Sequence, residues 1–96
     1  MKVELSEEAE AQVDQIDVWW RTNRLGSPDL FTNELDHALL DLGEMPSLGT
    51  IYQAGPELVR RLLLRRTHHH LYFVEEQNRI FVVAVWSAFR GTGPKL

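Results

Sequence analysis

Apolar residues at helical spacing occupy two stretches in the first half of the chain. The first stretch follows Ser6, a favourable N-cap residue, and we expect its helix to end near Arg24, just before Gly26. The second stretch runs from Pro28 to about Gly43. The apolar positions are Ala9, Val13, Ile16 and Trp20, then Phe31, Leu35, Ala38, Leu39 and Leu42. The short connection between the stretches predicts an antiparallel helical hairpin.

Strand-like segments flank this hairpin. Lys2–Leu5 precedes it, and Thr50–Gln53 is a short candidate strand in a stretch rich in proline and glycine. Three longer segments follow, and they are Leu58–Arg66, His68–Glu76 and Arg79–Ser87. We predict a single α+β domain over residues 1–96. Its N-terminal strand precedes a helical hairpin that packs on one face of a C-terminal antiparallel β-meander.

A two-residue turn at Gln77-Asn78 predicts the register of the last two strands, because asparagine tolerates positive φ. Tyr72 then pairs with Val83, His70 with Val85, and His68 with Ser87. Because side chains alternate between the two faces along each strand, one set is predicted to face the helices. This set comprises Leu71, Phe73, Ile80, Val82, Ala84 and Trp86. The face turned away from the helices is called the open face. Its predicted members are His68, His70, Tyr72, Val74, Phe81, Val83, Val85 and Ser87, joined through a short Arg66-Thr67 turn by Arg61, Leu63 and Arg65.

Composition and charge narrow the classes of function. The 96 residues carry a net charge of −4, but the first fifty hold three basic and eleven acidic side chains, and the rest hold seven and three. Only the C-terminal half therefore suits a polyanion. The lack of cysteine excludes a disulfide framework, a thiolate zinc site and a cysteine nucleophile. The acidic start and the absence of a long apolar run predict a cytoplasmic protein without a membrane partner.

The run His68-His69-His70 is the most conspicuous candidate for chemistry. In a strand, His68 and His70 lie on one face about 7 Å apart. A zinc site needs a third protein ligand, and the nearby Glu75 and Glu76 lie at the far end of the same strand. We therefore expect no metal and no other cofactor. Two alternatives stay open. The histidines could act in general acid–base chemistry, because histidine titrates near neutral pH, or they could simply be polar residues of a strand.

Arginines and tryptophans suggest binding. Three leucines lie between the arginine pairs Arg60-Arg61 and Arg65-Arg66. These arginines either bind phosphates or carboxylates of a partner, or they keep the sheet soluble and form ion pairs with the acidic helices. Arginines beside apolar residues on the open face suit an amphipathic peptide better than bare nucleic acid. Trp19 and Trp20 lie about 100° apart on a helix, so they do not share one core. Trp20 fits the apolar stripe, and Trp19 is either an interface residue or packs laterally.

Taken in order, these segments resemble the RelE/ParE toxins of bacterial type II toxin–antitoxin systems. The segments that carry the resemblance are Ser6-Glu7-Glu8-Ala9, Met45-Pro46-Ser47-Leu48-Gly49 with its P-x-x-G pattern, Val59–Leu64, His70–Phe73 and the tail Val83–Pro94. The tail is similar to those of the ParE-like branch. The resemblance spans nearly the whole chain, and the order and spacing of the motifs carry it.

The resemblance implies a toxin that a cognate, ParD-like antitoxin wraps along the helical hairpin and the sheet. ParE-like members bind a protein target, DNA gyrase in the characterised ones, whereas RelE-like members cleave mRNA on the ribosome. A ribonuclease needs strong phosphate neutralisation. The sequence pI of about 5.5 and the uncharged segment Phe81–Trp86 therefore favour the ParE-like branch. We expect no sequence-specific nucleic-acid binding by the toxin alone.

The residues expected to contact antitoxin or target belong to the open face, the tail and the hairpin. They are Arg61, Arg65, His68, His70, Tyr72, Trp86, Arg90 and Trp19. Trp86 supports the groove, and Trp19 is a hairpin-side antitoxin contact. The ParE-like interpretation includes no catalytic residue. The alternative, a RelE-like endoribonuclease, would use His68, His70, Tyr72, Arg61 and Arg65, with an imidazole accepting the 2′-hydroxyl proton and an arginine stabilising the phosphorane.

Overall fold

A computed structural model describes residues 1–96 as two helices and five strands. In chain order the elements are β1 (Lys2–Leu5), α1 (Glu7–Asn23), α2 (Leu30–Glu44), β2 (Thr50–Ala54), β3 (Leu58–Leu64), β4 (His69–Glu76) and β5 (Arg79–Ser87). One sheet joins the strands in the order β1-β5-β4-β3-β2, in which β1 is parallel to β5 and the other neighbours are antiparallel. The predicted α+β architecture is confirmed. Neither helix is long and apolar enough to cross a bilayer.

The helix boundaries follow from local capping. Ser6 Oγ accepts a hydrogen bond from the amide of Ala9 at 3.0 Å, which confirms Ser6 as the N-cap of α1. The amide of Arg24 donates to the carbonyl of Trp20 and closes the last turn. Helix α2 begins after Asp29, two residues later than predicted from Pro28. The Asp29 carboxylate accepts a 2.7 Å hydrogen bond from Arg21 and makes no capping bond.

Both helices pack on one face of the sheet and share a core with it. Its buried members are Ala9, Trp20, Phe31, Leu35, Ala38, Leu42, Leu64, Leu71, Phe73, Ile80, Val82 and Val85. A second cluster lies on the open face and consists of Val59, Tyr72, Val74 and Ala84. The open face is therefore partly apolar, and its residues are not all exposed to water.

The hairpin between β4 and β5 begins in the predicted register and then shifts. Gln77 and Asn78 both adopt positive φ, and Glu76 faces Arg79 as predicted. Beyond Phe73, β5 contains one extra residue, a β-bulge. The bulge shifts every later pairing along β4 by one residue.

The predicted pairings beyond the bulge were wrong. Tyr72 faces Ala84 and not Val83, and His70 faces Trp86 and not Val85. The bulge also exchanges the two faces, because a shift of one residue moves every side chain to the other side. Val85 belongs to the helix-side core and Ser87 pairs with His69, whereas Ala84 and Trp86 belong to the open face.

Helix α1 stabilises this bulge from the edge of the sheet. The pairing of β1 with β5 ends where Leu5 faces Val82. Past that point, the amide of Val85 donates a 2.7 Å hydrogen bond to Gln12 Oε1, and the amide of Ser6 donates to the carbonyl of Val82 at 2.9 Å. Side-chain and backbone groups at the start of α1 thus replace the missing strand.

The turn between β3 and β4 keeps the predicted register but is longer than predicted. Leu64 faces His69 and Arg61 faces Tyr72 across the two strands. The prediction that His68 belongs to the strand on the open face was wrong, because His68 lies in the turn with φ of 60°. Its backbone carbonyl accepts a hydrogen bond from the amide just beyond β5, at 2.8 Å. His68 is therefore held at the end of the sheet.

Candidate functional site

Four of the sequence-predicted site residues lie together on the open face. Arg61 and Tyr72 face each other across β3 and β4, and His70 and Trp86 face each other across β4 and β5. Tyr52 of β2 completes the group, with its ring edge-on to Tyr72 at 4.7 Å between centroids. The guanidinium of Arg61 lies 5.2 Å from the centre of the Tyr52 ring. These five residues are called the aromatic patch.

The C-terminal tail, residues 88–96, runs across the aromatic patch. Trp86 Nε1 donates a 2.9 Å hydrogen bond to the carbonyl of Thr92. The guanidinium of Arg90 lies 4.2 Å from the centre of the Trp86 ring, which is a cation–π geometry. Farther along, Gly93 lies directly against the hydroxyl of Tyr52. The tail therefore brings Arg90 to the patch and extends from β5 to β2.

The surroundings of His70 favour its neutral form, because they lower its pKa. Burial lowers the pKa of His70 below its usual 6.5, and the positive charge of Arg61 lowers it further. The ring of His70 lies 5.9 Å from that of Tyr72, which is only 2% exposed. A neutral imidazole thus lies beside an arginine and a phenol that has little contact with solvent.

Arg65 and His68 lie in the turn between β3 and β4, outside the strands that carry the aromatic patch. Arg65 is exposed in the turn after β3, and the His68 ring lies 4.8 Å from that of Phe89. The five residues of the ribonuclease alternative therefore divide between the strands and the turn at their end. No three histidine, aspartate or glutamate side chains are arranged to hold a metal ion.

A groove of about 1030 Å³ lies between α1 and the adjoining ends of β4 and β5, and we call it the α1 groove. Trp19 lines it and is 47% exposed, and its ring meets that of Trp20 edge-on at 5.7 Å. Phe89, which is 78% exposed, lines it from the segment that follows β5. Arg24 and Arg66 also line the groove. Trp19 was predicted as an interface residue and Arg66 as one of an arginine pair that could bind an anion, whereas Arg24 and Phe89 were not predicted.

One signal for Phe89 was present in the sequence. Phe89 is a large apolar residue just after the end of β5, where no neighbouring strand packs against it, and this position indicates an exposed ring. Arg24 at the end of α1 carries no such signal, because only the fold brings it into one groove with Arg66.

The arginines of the aromatic patch and of the α1 groove form no salt bridge within the chain. The salt bridges of the fold involve only Lys2, Arg21 and Arg79 as cations. The arginines without one are Arg24, Arg60, Arg61, Arg65, Arg66 and Arg90. Of the two alternatives for Arg60-Arg61 and Arg65-Arg66, ion pairs with the acidic helices are therefore not observed. Their charges stay available to a partner.

The comparisons with known proteins agree with this fold. The sequence matches the family model described as the ParE toxin of the type II toxin–antitoxin system parDE over residues 3–90. A solved structure described as the chromosomal ParDE TA system from P. aeruginosa superposes with a TM-score of 0.75. The alignment covers 91% of this chain and 95% of that chain at 17% identity, which shows a shared fold. No curated protein matches the sequence. Since the family model spans nearly its whole length, the chain belongs to the ParE toxin family of type II toxin–antitoxin systems.

Proposed function

We propose that this chain is a toxin that acts by binding and inhibiting DNA gyrase, and that a ParD-like antitoxin neutralises it by covering the same surfaces. The match to the ParE family over residues 3–90 carries the proposal. The description of the P. aeruginosa structure as a ParDE system supports an antitoxin partner. Gyrase as the target rests on the resemblance to the ParE-like branch.

The chemistry of the aromatic patch supports binding as its role. Trp, Tyr and Arg are the residues that most often dominate the binding energy of protein interfaces. The patch and the tail present Trp86, Tyr52, Arg61 and Arg90, and the two arginines have no acidic partner within the chain. Such a surface fits an acidic protein segment, with the aromatic rings supplying contact area and the arginines supplying orientation.

A ribonuclease is the second candidate, and one observation favours it. Arg61, His70 and Tyr72 are neighbours on the open face, and the lowered pKa of His70 favours the neutral form that a general base requires. Two observations weigh against it. Tyr72 is only 2% exposed, and His68 lies in the turn and not on the strand that carries His70 and Tyr72.

A supercoiling assay with purified gyrase tests the proposal. The wild-type chain is added to gyrase, ATP and relaxed plasmid, with and without one equivalent of the antitoxin encoded beside its gene. We expect supercoiling to fall with toxin concentration and to recover when antitoxin is added. Normal supercoiling together with mRNA cleavage on purified ribosomes would replace this proposal with the ribonuclease alternative.

A further inference from the structure

We infer that residues 91–94 act as a latch that holds Phe89 and Arg90 as one wall of the α1 groove, and that this groove receives a partner segment combining large apolar side chains with carboxylates. The latch depends only on the fold. The source of the segment rests on the proposed function, which supplies the antitoxin.

Two contacts hold the latch closed. The indole of Trp86 donates to the carbonyl of Thr92, and Gly93 packs against the hydroxyl of Tyr52. Residues 91–94 make no backbone–backbone hydrogen bond, and the last one before them joins the amide of Arg90 to the carbonyl of Ser87. A segment held by so few bonds opens at low cost. Phe89 and Arg90 also have contacts of their own, since the amide of Phe89 donates to Ser87 Oγ at 3.2 Å and Arg90 lies over the Trp86 ring. The two latch contacts add the restraint on the far side of Arg90.

Position 93 has no room for a side chain while the tail lies against Tyr52. A Cβ at Gly93 would collide with the Tyr52 hydroxyl and would lie 3.1 Å from Tyr52 Cζ. The ring cannot withdraw without cost, because it packs edge-on against Tyr72 and carries Arg61 over its face. A Cβ at Gly91 would meet nothing within 4 Å. The chain thus offers a matched pair of substitutions that differ in this one contact.

The lining of the α1 groove determines the chemistry of its occupant. Its sides are aromatic, with Trp19 on α1 and Phe89 on the tail. Arg24, Arg66 and Arg90 line it as well, and none has an ion-pair partner within the chain. An apolar segment with carboxylates satisfies both features.

A nucleic acid fits the same groove less well. Glu8 lines the groove, and the first turn of α1 carries three acidic side chains, so this wall repels a phosphate backbone. A peptide can place its carboxylates only where the arginines lie. The occupant is therefore a protein segment.

NMR of the free protein tests the latch without any partner. In the wild type and in Gly91→Ala, we expect the Trp86 indole N–H to exchange at least tenfold more slowly than that of Trp19. We also expect a nuclear Overhauser contact between the Tyr52 ring and residue 93. Gly93→Ala should lose both signals, and adding Tyr52→Phe should restore part of the protection. A Gly93→Ala protein that keeps both signals would overturn the latch.

Calorimetric titration with the purified antitoxin tests the groove. We expect Gly93→Ala and Arg24→Glu each to weaken binding at least tenfold, while Gly91→Ala stays within twofold of the wild type. Wild-type affinity in a Gly93→Ala protein whose latch is open by NMR would overturn the role of the latch. Failure of the wild type to bind antitoxin would refute the proposed function and the assigned occupant, while the NMR result would still decide the latch. Arg24-dependent binding of a single-stranded RNA, without antitoxin binding, would overturn the protein occupant.

Discussion

The guanidinium of Arg90 lies over the indole of Trp86, 4.2 Å from the ring centre, where the tail turns back across the sheet. This contact joins the aromatic patch to the α1 groove, because both residues also line the groove. Exposed cation–π pairs contribute about 0.5–1 kcal/mol. We expect Arg90→Ala to lower antitoxin affinity severalfold, because it removes both the stacking and a charge of the groove.

Lys95→Ala is the control for Arg90→Ala, since it removes a tail charge that makes no salt bridge or hydrogen bond in the structure. Titration calorimetry compares both variants with the wild type. Equal losses in the two variants would show that only the net charge of the tail matters.

Charge reversal on β3 tests the orientation of the sheet. The double variant Arg61→Glu, Arg65→Glu should bind antitoxin at least tenfold more weakly or lose toxicity, because Arg61 belongs to the aromatic patch. Arg61→Glu alone should produce most of the loss, since Arg65 lies in the exposed turn. Arg60→Glu is the matched control, because it makes the same charge change on the same strand with its side chain on the helix side, opposite Phe73. A loss in Arg60→Glu as large as in Arg61→Glu would refute the assignment of the open face.

Glu34 fixes the turn that carries Arg66 and His68. Its carboxylate accepts hydrogen bonds from the amides of Arg66 and Thr67 at 2.8 and 3.0 Å, and from the Thr67 hydroxyl at 2.7 Å. Thr67 is buried, so its donors find no water when the carboxylate is removed. We expect Glu34→Ala to lower the free energy of unfolding by about 1–3 kcal/mol. Urea unfolding at pH 7 measures the change.

The exposed Asp36 on the same helix is the control for Glu34, because it forms no salt bridge in the structure. Asp36→Ala should change the free energy of unfolding by less than about 0.5 kcal/mol. A Glu34→Ala protein as stable as Asp36→Ala would show that the turn does not depend on this carboxylate.

Gly49 explains the P-x-x-G pattern that follows α2. Its φ is +88°, and a Cβ at this position would lie 2.5 Å from the carbonyl oxygen of Arg61. Gly49→Ala should therefore cost at least about 1–3 kcal/mol of folding free energy. Gly55→Ala is the matched control, because nothing lies within 4 Å of its added Cβ. Thermal unfolding of the two proteins compares them, and equal midpoints would contradict the close approach of β3 to this loop.

The stability of the protein should fall as the pH drops below about 6.5. Burial lowers the pKa of His69 and of His70 in the folded state. Below pH 6.5 these two histidines bind protons more readily in the unfolded chain than in the folded one. The free energy of unfolding therefore falls as the pH drops, until the pH passes the lowered pKa values of the folded state. Above 6.5 both states are neutral and this effect is absent. Urea unfolding between pH 7.5 and 5.5 measures the slope.

The double variant His69→Gln, His70→Gln should flatten this slope, whereas the same change at the exposed His37 should leave it unchanged. A slope that persists in the double variant would assign the pH dependence to other groups.

Local sequence patterns predicted most of the fold. The Ser6 cap, the apolar stripes of the helices and the Gln77-Asn78 turn act within a few residues, and each appears in the structure where it was expected. The β-bulge at Val83 was not predictable from β5, because Gln12 and Ser6 of the distant α1 N-terminus supply the hydrogen bonds that stabilise it.

The candidate site was predictable only in part for the same reason. Arg61, His70 and Tyr72 were placed correctly, because the turn between β3 and β4, although longer than predicted, keeps the predicted register. Trp86 was expected to face the helices and reached the open face through the bulge. His68 was predicted in β4 but is the last residue of the preceding turn, where it adopts a left-handed φ of 60°. The α1 groove is assembled from α1, a turn and the tail, so no single segment of sequence contains its pattern.

Inducible expression in a bacterium that lacks the antitoxin tests the toxin function most directly. DNA breaks and mRNA integrity are followed in the same culture from the first minutes after induction, with Arg61→Glu as the matched variant. We expect growth arrest with broken DNA and intact mRNA from the wild type, and a weaker arrest from Arg61→Glu. Arrest with cleaved mRNA and intact DNA would contradict the gyrase target, and normal growth at full expression would contradict toxin activity itself.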